Sequence, residues 1–144
     1  MKKRLSKKQT LQKILVEKIY RLVREIMEVD ELEFPTLTIY WRNRGQIGRG
    51  DEVHFIGFSN EFEVTIPNLL LPNGKLDVKK IIQTLLKEAT HYRQTASFGS
   101  YESFASEYIN SPNVEGNFTE WDMEGVRVSE TYRQQVLDQI KTRA

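Results

Sequence analysis

Leu85-Leu86-Lys87-Glu88-Ala89-Thr90-His91-Tyr92-Arg93-Gln94 is the stretch from which the rest of this chain is best read. With Ile81 and Ile82 just ahead of it, Leu85, Leu86 and Ala89 recur at three- and four-residue steps. That is the period of a helix with one buried face. Asp77 is a good N-cap before this run, and Gly99 lies beyond its end, so a helix is predicted over 77–97. On it Lys87 and His91 stand one turn apart and point to the same side.

That pair, with Glu88 between, bears on chemistry. A zinc site carried on a helix needs two histidines four residues apart and a glutamate after the first as general base. Glu88 stands at the base position and His91 at the second ligand position. The first ligand position holds Lys87, and a protonated lysine offers donors but no lone pair.

Composition narrows the choices further. The chain has 144 residues, 39% hydrophobic content and a formal net charge of +1. Those values suit one globular domain over 1–144 with a real core and no global field aimed at nucleic acid. There is no cysteine, so a metal site would use only His, Asp or Glu. His54 and His91 are the only histidines, which excludes a three-histidine site. His54 sits in a predicted strand and is read as a structural or surface residue. No apolar run reaches the roughly 18 residues of a membrane span. No signal-peptide core follows the basic start, so the expected location is cytoplasmic, without a membrane partner.

Working outward from the motif helix gives the element order. Leu11, Ile14, Leu15, Ile19, Leu22, Val23 and Ile26 mark an N-terminal helix over 9–29, with Pro35 barring continuation. Leu37–Trp41, Val53–Phe58 and Phe62–Ile66 read as three strands within 36–67, with a basic loop at 42–50. Tyr101–Ile109 reads as a short helix, Asn110–Gly116 as a loop, and 118–141 as a C-terminal helix. Thr119 and Asp122 form a capping-box-like start for that last helix. The aromatics Phe98, Tyr101, Phe104 and Tyr108 are expected to pack the core between the second and last helices. The class is therefore α+β, with a small antiparallel or mixed sheet.

Four features together resemble the small zincin metallopeptidases of the gluzincin type, including compact ones common in phages and mobile elements. They are the strand pair around a turn (Ile39-Tyr40-Trp41, Gly48-Arg49-Gly50, His54-Phe55-Ile56) and the strand ending Thr65-Ile66-Pro67. The motif helix follows, and then the acidic Glu120-Trp121-Asp122-Met123-Glu124-Gly125-Val126-Arg127. The resemblance implies a zincin-like fold with the motif helix packed on the sheet. It implies Glu88 as general base or its remnant, and His91 with Glu120 or Glu124 as metal ligands. The departure at Lys87 implies lost zinc chemistry: a degenerate, non-catalytic domain kept as a binding or structural module for a protein partner. No cofactor is then expected, and Lys87 itself would pair with Glu120 or Glu124 as an internal cation. A phage origin, and with it a virion location, follows from the resemblance alone.

Two alternatives carry their own residues. An active metal-dependent peptidase would hold zinc with His91 plus Glu120 or Glu124 and use Glu88 as base. A nucleic-acid-associated protein would use the basic N-terminal cluster Lys2, Lys3, Arg4, Lys7 and Lys8, which suits phosphates or an acidic partner. Arg42, Arg44 and Arg49 beside Tyr40 and Trp41 form a second basic and aromatic group.

Overall fold

The computed structural model describes residues 4–43 and 52–142. Lys2 and Lys3 of the basic arm, and Arg44, Gly48, Arg49, Gly50 and Asp51 of the loop, lie outside the described residues. The class is α+β: a small mixed sheet with helices at both ends of the chain.

Helix α1 spans Lys7–Met27. Ser6 caps it in a full capping box: its side chain accepts from Gln9 N–H at 3.0 Å, and Gln9 Oε1 accepts from Ser6 N–H at 3.0 Å. The helix stops well before Pro35. Glu28 takes a left-handed conformation (φ 56°), and its N–H closes the last turn on Arg24 and Glu25 carbonyls.

Strands β1 (Thr36–Tyr40), β2 (Val53–Ile56) and β3 (Glu61–Thr65) form one sheet in the order β1-β3-β2. β1 runs parallel to β3 in the register Leu37↔Phe62 and Ile39↔Val64. β2 runs antiparallel to β3, with Phe55 opposite Phe62. The central strand is buried on both faces, so Phe62 and Val64 are fully covered while Glu63 and Thr65 are also buried. Buried polar groups need partners. Tyr40 Oη donates to Glu63 at 3.2 Å, and Thr65 N–H donates to Glu52 O at 3.0 Å.

A 3-10 turn (Ile66–Leu69) leads to α2 (Val78–Ser97), whose N-cap Asp77 accepts from Lys80 N–H at 3.2 Å. Ile81, Leu85, Leu86 and Ala89 are wholly inaccessible to solvent, and Ile82 nearly so. The motif helix packs on the sheet as expected, but the sheet is not its main neighbour. α2 touches β2, but its most extensive contact is with α4 (Glu120–Thr142), and α1 lies against it as well. Periodicity identifies an apolar arc; it does not name the element that covers it.

α3 (Tyr101–Asn110) follows, capped by Ser100. The stretch read as a loop contains a small hairpin instead. β4 (Asn113–Glu115) pairs antiparallel with β5 (Phe118–Thr119), and the turn holds Gly116 at φ 57°. Strands of three and two residues are too short to show a period of two. Among the described residues, no helix is long and apolar enough to cross a membrane.

Leu85 is the test of this core. Leu85→Ala is expected to cost about 2–5 kcal/mol, because the side chain is fully buried between helices that close only partly over the gap. Urea denaturation of wild type and variant measures it. A cost near zero would place α2 at the periphery.

Candidate functional site

The polar arc of α2 carries Lys87, Glu88, His91 and Gln94, which meet residues from three other elements. Glu88 is the first junction. Its Oε1 accepts the Phe55 N–H of strand β2 at 2.9 Å. β2 is an edge strand, and the pairing of Glu52 with Thr65 turns the Phe55 N–H outward, away from β3. Glu88 thereby satisfies an edge amide that β3 cannot reach.

His91 is the second junction. Gln94 Nε2 donates to Trp121 O at 3.0 Å and to Glu124 Oε1 at 2.8 Å, which turns Gln94 Oε1 toward His91 Nδ1 at 2.9 Å. An amide oxygen only accepts, so Nδ1 carries the hydrogen. Nε2 then faces two carboxylates, Glu88 Oε2 at 3.9 Å and Asp122 Oδ1 at 3.7 Å. His54 Nδ1 lies 3.9 Å from Glu88 Oε1 on the other side.

Asp122 is the third. It accepts from Tyr108 Oη at 2.9 and 3.0 Å, from Thr119 N–H at 2.9 Å and from Thr119 Oγ1 at 3.1 Å. Asp122 N–H returns a bond to Thr119 Oγ1 at 3.3 Å, which completes the capping box at the start of α4. Burial pushes the Tyr108 phenol up to about 12, aided by the bond and negative charge of Asp122 and by the charge of Glu88.

The expected residues are thus divided. Glu88 and His91 do come together, but the carboxylate nearest His91 belongs to Asp122. Glu120 is exposed, and Glu124 is held by Gln94. Among the described residues, Lys87 forms no ion pair with Glu120 or Glu124, so it does not act as an internal cation for either. Its side chain lines a cleft with Glu52, His54 and Glu88, while Lys80 and Glu52 form an ion pair across the same cleft. The Lys87 backbone is covered by Gly125, where a Cβ would sit 3.5 Å from Lys87 Cα. That small residue brings α4 close and sets Asp122, less than one turn earlier, beside His91.

These residues do not fit a catalytic zinc. Lys87 contributes no lone pair, Glu88 is engaged by a backbone amide, and Asp122 is taken by Tyr108 and Thr119. Among the described residues, no three His, Asp or Glu side chains are arranged to hold a metal ion. What the group does is join α2, β2, α3 and α4 through one polar network. Gln94 and Tyr108 gave little signal in the sequence. Asp122 was visible there only as a cap. Compared with known protein families, curated proteins and solved structures, the chain has no significant match.

Two outcomes follow from this geometry. Glu88→Ala should cost about 1.5–3 kcal/mol, the range for a hydrogen bond to a charged group, whereas Glu88→Gln keeps an acceptor for Phe55 N–H and should cost less. Chemical denaturation of both variants measures the difference.

The second concerns alkaline pH. Because folding raises the Tyr108 pKa, its contribution is fully present below the unfolded value of about 10 and is lost as pH rises through about 12. Tyr20 and Tyr92 are raised as well, chiefly by burial, and fall in the same direction. Tyr108→Phe should therefore flatten, without abolishing, the loss of stability above about pH 10. An unchanged slope in a pH series of melting curves would exclude this role.

Proposed function

We propose that this chain is a zincin-like scaffold without catalytic zinc, retained as a binding or structural module for a protein partner. The observation that carries the reading is the 2.9 Å bond from Phe55 N–H to Glu88 Oε1. A general base must be free to take a proton from water. Here one oxygen of the carboxylate at the base position is committed to fastening the edge strand to the helix. Lys87 at the first ligand position supports the same conclusion. The mixed sheet, with an antiparallel edge strand beside the motif helix, agrees with the resemblance on which the scaffold part of the reading rests.

The peptidase alternative draws on His91, whose Nε2 faces Glu88 and Asp122 in the tautomer that a metal ligand needs. Zinc analysis separates the two. Purified wild type should hold no stoichiometric zinc after dialysis, and its melting temperature should not respond to zinc. Lys87→His should gain a zinc response through residue 87 and His91, with Asp122 giving up its Tyr108 bond to serve as third ligand. At a hundredfold excess over the dissociation constant that response is about 2.7 kcal/mol. Wild type that retains one zinc per chain would overturn the non-catalytic reading. Lys87→His that ignores zinc would remove the zincin comparison.

A further inference from the structure

The N-terminal half of α1 leaves part of its apolar surface, Leu11 and Ile14, outside the core. Leu11 and Ile14 are 60% and 53% exposed, although they lie on a helix whose other face is fully buried. Beside them Leu15, Leu76 and Val78 form the floor of a groove of about 660 Å³ between α1 and the start of α2. Lys7, Lys8 and Lys75 stand around that floor, and no acidic residue lines it. Lys8 Nζ reaches over the turn at Gly74, where a Cβ would meet it at 3.5 Å.

The placement of the cations is informative. The first turn of α1 holds no acid and carries Lys7 and Lys8. The helix dipole favours the opposite sign there, so these lysines do not serve the helix's own stability. The Ser6–Gln9 capping box nevertheless satisfies the backbone of that turn. An apolar floor with a positive rim is complementary to an apolar surface flanked by negative charge.

We propose that this groove docks an acidic amphipathic helix of a partner protein, with leucine-type anchors on the floor and glutamate or aspartate against Lys7, Lys8 and Lys75. Leu11 and Leu15 are spaced i, i+4 in the groove and Ile14 stands exposed at its side, a ridge that a second helix packs against. No strand lines the groove, so a helix suits it better than an extended peptide. The groove shares no residue with the Lys87–Glu88 cleft, so this inference goes beyond the zincin reading and stands or falls separately.

The experiment uses the full chain and a fluorescently labelled synthetic helix of about 18 residues, with leucines along one face and glutamates elsewhere. Anisotropy titration should show saturable binding that weakens with salt. Leu11→Gln with Ile14→Gln should weaken it at least about tenfold, or about 1.4 kcal/mol. Lys7→Gln, Lys8→Gln and Lys75→Gln together should flatten the salt dependence. Leu32→Gln, at a side chain 94% exposed outside the groove, should change neither. Since every substituted side chain is exposed, unchanged melting curves confirm that the variants fold. Binding that survives the Leu11/Ile14 change, or an equal affinity for the same peptide with lysine in place of glutamate, would overturn the proposal. So would tighter binding of phosphatidylserine vesicles or single-stranded DNA through the same lysines, since the occupant would then be of another class.

Discussion

The burial of α2 is the constraint on which the other elements depend. Its apolar arc passes from Ile81 through Leu85, Leu86 and Ala89 and is closed to solvent all along. α4 covers one side, α1 another and β2 a third. An aromatic cluster fills the gap toward the sheet. Phe34 packs against Tyr92 at 5.7 Å and against Phe62 at 5.4 Å, both near edge-to-face, and Phe55 meets Tyr92 at 6.0 Å. Such rings combine large buried area with a preferred geometry, so they fix the distance between helix and sheet as well as the energy. Ala89 and Gly125 do the reverse: small side chains let the backbones approach.

With that packing settled, the remaining arc of α2 is drawn into a polar network. Glu88, His91, Gln94 and Asp122 each have a partner from another element or hold one that does. A half-buried carboxylate stabilises the fold when its lone pairs are filled by fixed donors. It catalyses proton transfer when one lone pair stays open to water. Asp122 is of the first kind here, while Glu88 holds one fixed donor, the Phe55 N–H, on Oε1. Lys87 offers a metal no lone pair, and the two acids link separate elements through Phe55 N–H and Tyr108 Oη.

The surface of α1 has a different logic. One face supplies Val16, Ile19, Leu22 and Val23 to the core. Its N-terminal half leaves Leu11 and Ile14 exposed beside lysines that the helix dipole disfavours. Core demands explain the buried residues completely and the exposed pair not at all. The charge asymmetry of the N-terminal segment, plain from composition, thereby acquires a place: Lys7 and Lys8 border an apolar groove, whereas Arg4 lies at another one with Trp41 and Arg42.

The α+β class, four helices and the three main strands were legible in the sequence, because helical and strand periods and capping residues act within a few positions. Asp77 before α2 and Thr119 with Asp122 at α4 are local signals of that kind. The chemistry of Lys87 was legible too, since a missing lone pair is a property of the residue alone. Tertiary structure decided the rest. It chose a parallel β1–β3 pair, and it found pairing for β4 and β5, whose strands are too short to read. It set Asp122 rather than Glu120 or Glu124 next to His91, and it gave Glu88 to the Phe55 amide. The rotation of α4 about its own axis, the height of β2 over α2 and the strand register are fixed by packing between segments far apart in the chain. No local period encodes them.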